Sequence, residues 1–148
     1  MNVRRVILIV PCIMSIIGLF LVCFSIEENG VPIDGLTIKL ISYVYGIVVA
    51  IADALVILFC LLNVKKGFVI SALVSIGVTI YGLYRVALVE TSEFVAVSAF
   101  NNLAEKVGNE FANTVNYEVV HGPAYFLLIF ACILIFVTMV WNALSKDD

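Results

Sequence analysis

Four apolar runs of about 20 residues each occupy 6–24, 40–62, 68–88 and 123–144, and each is long enough as a helix to cross the roughly 30 Å hydrocarbon core of a bilayer. Irregular chain cannot bury its peptide groups in lipid, so runs of this length have few ways to fold. The reading is an all-α membrane protein with four transmembrane helices in an antiparallel bundle. Composition agrees, because 64% hydrophobic and 13% charged residues leave too little polar surface to coat a water-soluble domain. The whole chain, 1–148, reads as one transmembrane domain with outer loops at 25–39 and 89–122.

The first run follows Arg4 and Arg5, as the core of a signal peptide would. It is too long for one and ends in Leu21-Val22-Cys23-Phe24 rather than in small residues, so we read it as a span. Pro11 is expected to bend it about one turn in. Only Asn63-Val64-Lys65-Lys66-Gly67 separates the second and third runs, which makes them a hairpin of neighbours. Arg4, Arg5, Lys65, Lys66 and Lys146 fall on one side, and Lys39, Lys106 and Arg85 on the other. The positive-inside rule then places both termini in the cytoplasm of a cell producing this as a plasma-membrane protein. Trp141, Asn142, Tyr117 and Tyr125 stand where interfacial residues belong.

The first loop carries Asn29-Gly30, Pro32 and loosely alternating Val31, Ile33, Leu36 and Ile38, a pattern for a short strand or hairpin. The second loop reads as helical from Phe100. Phe100, Leu103, Val107, Phe111 and Val115 recur at three- and four-residue spacing, with Thr91 or Ser92 as the expected N-cap and His121-Gly122-Pro123 as the stop. This stripe either folds onto the helix ends or forms an outward docking face. Arg85, about one turn from the outer end of its run, is grouped with that face and is expected to pair with Glu90, Glu93, Glu27 or Glu28.

In lipid, helices associate where small residues let backbones approach. Ser42, Gly46, Ala50 and Ala54 form such a ridge in the second run, answered by Ser71, Ser75, Thr79 and Gly82 in the third, with Ala124, Ala131, Thr138 and Ser145 as a seven-residue series in the fourth. Asp53 stands near the middle of the second run, where an acid costs about 2.5–3.5 kcal/mol to insert. By depth, Ser15, Ser75, Thr79 and Thr138 share its layer. The two readings of this polar belt are a hydrogen-bonded tie between helices and a proton or cation site.

No catalytic pattern emerges. Cys12, Cys23, Cys60 and Cys132 lie in apolar runs without a C-x-x-C pair, His121 is the sole histidine, and no G-x-S-x-G or phosphate-binding glycine loop is present. Neither metal nor cofactor is expected, and a formal charge of −3 without a basic stripe gives nucleic acid no surface. The layout is similar to that of tetraspanins, yet the second loop lacks their Cys-Cys-Gly signature. The Trp-Gly-Leu-Trp pattern of claudins is missing too, so no family follows. The expectation is a non-enzymatic interaction protein, an accessory, regulatory or assembly subunit or an immunity protein, with the lipid bilayer and another membrane protein or itself as a homo-oligomer for partners. The alternative is a small oligomeric transporter or channel using Asp53.

Overall fold

The computed structural model describes residues 3–107 and 117–145. Helix α1 spans Val3–Phe20, α2 Val44–Leu61, α3 Lys65–Val107 and α4 Ala124–Leu144, and strands β1 (Val22–Glu28), β2 (Val31–Lys39) and β3 (Tyr117–His121) form one antiparallel sheet in the order β2-β1-β3. All four helices are long and apolar enough to cross a membrane. Alongside the helices, the sheet is an addition to the all-α expectation.

Helix α1 runs through buried Pro11 but stops at Phe20, and Val22-Cys23-Phe24, expected to close the first span, instead begin β1. The reason lies downstream. Asn29 and Gly30 take φ of 51° and 82°, the conformation of a two-residue type I′ hairpin, and Glu28 pairs with Val31 across it. The hairpin recruits the β-favouring residues before it, so β1 extends back to Val22. Strand β3 completes the sheet, with Glu28 opposite Tyr117 and Phe24 opposite His121. As the central strand, β1 buries Cys23 through Ile26 consecutively.

The helices pack in the cyclic order α1, α2, α3, α4. Helix α1 buries Leu8, Pro11, Cys12, Ser15, Gly18 and Leu19, and α4 buries Ala124, Leu128, Ala131, Ile135, Thr138 and Asn142, a three-and-four alternation that lines one stripe. Gly18 lies against Leu128, and the amide of Asn142 donates to the carbonyl of Arg4 at 2.8 Å, which fixes the register of α1 on α4. Trp141 stacks under Arg4, with the guanidinium 5.9 Å from its ring, and Lys65 Nζ donates to the Ser145 carbonyl at 2.9 Å. These contacts gather the start of α1, the α2–α3 turn and the end of α4 at the end opposite the sheet.

Two apolar clusters divide the core. The one at the sheet end joins Leu19, Phe24, Leu40, Val49, Leu83, Val86 and Leu128, and the other joins Leu8, Cys12, Val56, Cys60, Phe68, Ile135 and Met139. The outward faces are equally apolar: Ile13, Ile17, Ile47, Ile51, Ile70, Phe126, Phe130 and Phe136 are all exposed. Such surfaces suit lipid rather than water.

Helix α3 is the outlier. It is about 64 Å long against about 27 Å for α2 at 1.5 Å per residue. The N-cap expected at Thr91 or Ser92 is not one: the helix passes through both, and Thr91 Oγ1 donates back to the Ala87 carbonyl at 3.0 Å. No glycine or proline interrupts Val89–Val107, so nothing stops the helix where its apolar run ends.

Candidate functional site

Two places in the fold concentrate polar chemistry. Between the apolar clusters sits Asp53, fully buried, with Ser75 Oγ donating to its Oδ1. Ser15 and Thr79 are buried there as well. Ser15 Oγ, Thr79 Oγ1 and Asp53 Oδ2 have no hydrogen-bond partner among the described residues, although Ser15 comes near the same carboxyl. The structure thus brings Asp53, Ser15, Ser75 and Thr79 together from three helices.

Thr138 does not join them. Its hydroxyl donates to its own helix, to the Leu134 carbonyl at 2.6 Å. In the register set by Gly18 with Leu128 and Arg4 with Asn142, Ser15 lies level with Ala131, and Thr138 lies level with Leu8. The α4 residue that comes near Asp53 is Cys132, which sequence depth counting missed because it measured from run ends rather than from packing register. Cys12 of α1 is the other thiol nearby. Hydroxyls therefore gather at one carboxyl, with two thiols in its neighbourhood, and no second carboxyl or cation continues from it among the described residues.

The expected small-residue ridge of α2 needs correction. Gly46 and half-buried Ala50 face inward, but Ser42 is exposed at the end of a 3-10 turn, Leu40–Ser42, and Ala54 is exposed. Four-residue steps on a 3.6-residue helix drift about 40° each, so a strict ridge turns away from its partner. Gly46 serves a different neighbour, because a Cβ there would meet the Leu40 carbonyl oxygen at 2.0 Å. The stripe of α2 that does face inward is Gly46, Val49, Asp53, Val56 and Cys60. On α3 the spacing four, four, three holds Ser71, Ser75, Thr79 and Gly82 on one buried face, and Gly82 meets Leu40 and Tyr45.

The second place is the sheet end. Beyond Val86, α3 leaves α2 and is held by β3 and the start of α4. Tyr125 Oη donates to Glu90 Oε2 at 2.9 Å, His121 Nε2 pairs with Glu90 Oε1, Asn101 Nδ2 donates to the Tyr117 carbonyl at 3.2 Å, and the Phe100 and Tyr117 rings meet edge-on at 5.1 Å. Glu90 is thereby engaged by His121 and Tyr125, and the expected pairing with Arg85 is not formed. Five residues on a helix turn about 140°, which points Glu90 at α4 while Arg85 points elsewhere. Arg85 makes no ion pair with the described residues.

Of the expected docking stripe, Phe100 is half-buried against Tyr117, Leu103 is 60% exposed, Val107 ends α3, and Phe111 lies outside the described residues. Exposed Phe94 and Val95 on the same overhang, at 60% and 61%, were hidden in sequence because the third run and the loop helix read as separate elements. Acids flank this end: Glu27 stands opposite Glu118, and Glu93 lies beside Phe94. Burial pushes the Cys23 thiol up to about 11, only partly offset by its contact with the Leu40 backbone. Among the described residues no three metal-ligating side chains cluster. No family model, no curated protein and no solved structure matches the chain.

Proposed function

We propose that this is a non-enzymatic integral membrane interaction protein, an accessory, regulatory or assembly subunit, or an immunity protein, of the plasma membrane. Its four helices cross as an antiparallel bundle with both termini cytoplasmic, and it docks a second membrane protein through the overhang of α3. The supporting observation is the exposure of Phe94, Val95 and Leu103 on a helix that outruns its neighbours and is braced by the sheet. Large apolar side chains on a rigid extramembrane rod cost solubility unless a partner covers them. The acids around them favour a partner whose apolar patch has a basic rim.

Gentle-detergent purification with identification of the co-eluting proteins tests this. Phe94→Glu and Leu103→Glu are expected to release a stoichiometric partner while Asp53→Asn retains it. Loss of the partner in Asp53→Asn alone would overturn the reading. A second reading, a small oligomeric transporter or channel with Asp53 as the proton or cation site, draws support from the unpartnered oxygens of Asp53, Ser15 and Thr79. Relays and ion paths use several ionisable groups in series, and the surroundings of Asp53 supply one. Flux in reconstituted vesicles that Asp53→Asn abolishes would favour it.

A further inference from the structure

At the sheet end of the α2–α3 seam lies a cleft of about 380 Å3, bordered by Tyr43, Tyr45, Arg85, Leu88, Val89 and Ser92. Its aromatic wall is ordered: Tyr43 and Tyr45 stack at 5.7 Å, and Tyr81 meets Tyr45 edge-on at 5.8 Å. Among the described residues Arg85 is the one cation that borders the cleft. It is exposed, and the acid nearest to it along the helix, Glu90, is held by His121 and Tyr125. A guanidinium beside apolar surface attracts an anion more strongly than it would in bulk water. Burial pushes the Tyr43 phenol up, so it remains a donor.

Below the cleft the outward faces of both helices are apolar. Ile47 and Ile51 of α2 and Ile80 of α3 are exposed, and exposed Gly77 has no atom within 4 Å of where a Cβ would stand. A polar socket thus stands above outward apolar helix faces, near the end of the α2 span. We propose that the cleft binds the anionic headgroup of a membrane phospholipid. Arg85 takes the phosphate in a forked contact, Tyr43, Tyr45 and Ser92 offer hydroxyl donors, and the acyl chains lie along the outward apolar face below. The proposal rests on the helices spanning a bilayer, but not on the α3 overhang docking a partner. Free phosphate shares the headgroup chemistry but would leave the apolar faces below uncovered.

The test is native mass spectrometry of the delipidated full chain in a neutral maltoside detergent. The probes are dihexanoyl phosphatidylglycerol, dihexanoylglycerol and inorganic phosphate. One phosphatidylglycerol per chain is expected, with neither other probe retained. Arg85→Gln should weaken it about tenfold or more, as loss of a charged hydrogen bond does, with Arg85→Lys intermediate. Lys39→Gln, another cation near the sheet end, should change little. Because Arg85 is exposed and makes no ion pair with the described residues, its variants should keep the wild-type unfolding midpoint. Equal binding by wild type and Arg85→Gln overturns the proposal, as does equal retention of dihexanoylglycerol or of inorganic phosphate. These results leave the Phe94 and Leu103 variants, and so the docking reading, unaffected.

Discussion

Replacing Ser75 with alanine removes the donor to Asp53 Oδ1 and leaves both oxygens of a fully buried carboxyl without a partner among the described residues. Interhelical hydrogen bonds within membranes average about 0.6 kcal/mol and reach about 1.7. A buried polar group stripped of its partner costs about 1–3 kcal/mol. Because Asp53 is sealed from both ends by apolar clusters, the upper part of the membrane range applies, and Ser75→Ala should cost about 1.5 kcal/mol. Asp53→Asn keeps both shape and an acceptor oxygen, so it should cost less than about 0.5 kcal/mol. Asp53→Leu combined with Ser75→Ala removes both partners at once, and the pair should stand within about 0.5 kcal/mol of wild type. The measurement is reversible unfolding in mixed micelles of a mild detergent and dodecyl sulfate, followed by circular dichroism. The damage in the double variant must be less than the sum of the single ones, since the partners interact. A Ser75→Ala protein indistinguishable from wild type, or a strictly additive double variant, would refute the view of Asp53 as an interhelical tie.

Glu118→Lys turns the like-charge pairing of Glu27 with Glu118 into an attractive one and should raise stability by about 0.5 kcal/mol in thermal unfolding at low salt. Gly122→Ala would put a Cβ 1.9 Å from the Val22 carbonyl oxygen, so about 3 kcal/mol or outright loss of folded protein is expected. By contrast Gly77→Ala, on an open helix face, should gain up to about 1 kcal/mol in the same unfolding assay. Cys23, raised by burial to about 11, should carry little thiolate at pH 8 and resist iodoacetamide in the folded protein. Fast labelling there would mean that β1 is not the buried central strand.

The features legible in the amino-acid sequence are those that depend on local pattern. Runs of apolar residues dictate four helices able to span a bilayer, because hydrocarbon accepts no chain with unpaired peptide groups. Asn29-Gly30 marks a hairpin because few other pairs take two successive positive φ values without strain. Asp53 stood out because an acid in an apolar run is expensive wherever the chain goes. The remaining features depend on long-range packing. Whether Val22-Cys23-Phe24 end a helix or begin a strand depends on β2 and β3 being there to pair with. Tyr117–His121 has too short a pattern to declare itself as β3 without β1 beside it. Ala54 and Ser42 lost their ridge, and Thr138 its place beside Asp53, because a helix's drift and its register against a neighbour are set by contacts such as Gly18 on Leu128. Arg85 likewise stays apart from Glu90 because α3 presents Glu90 to His121 and Tyr125, partners far downstream in the chain that only the packing of α3 against β3 and α4 brings near.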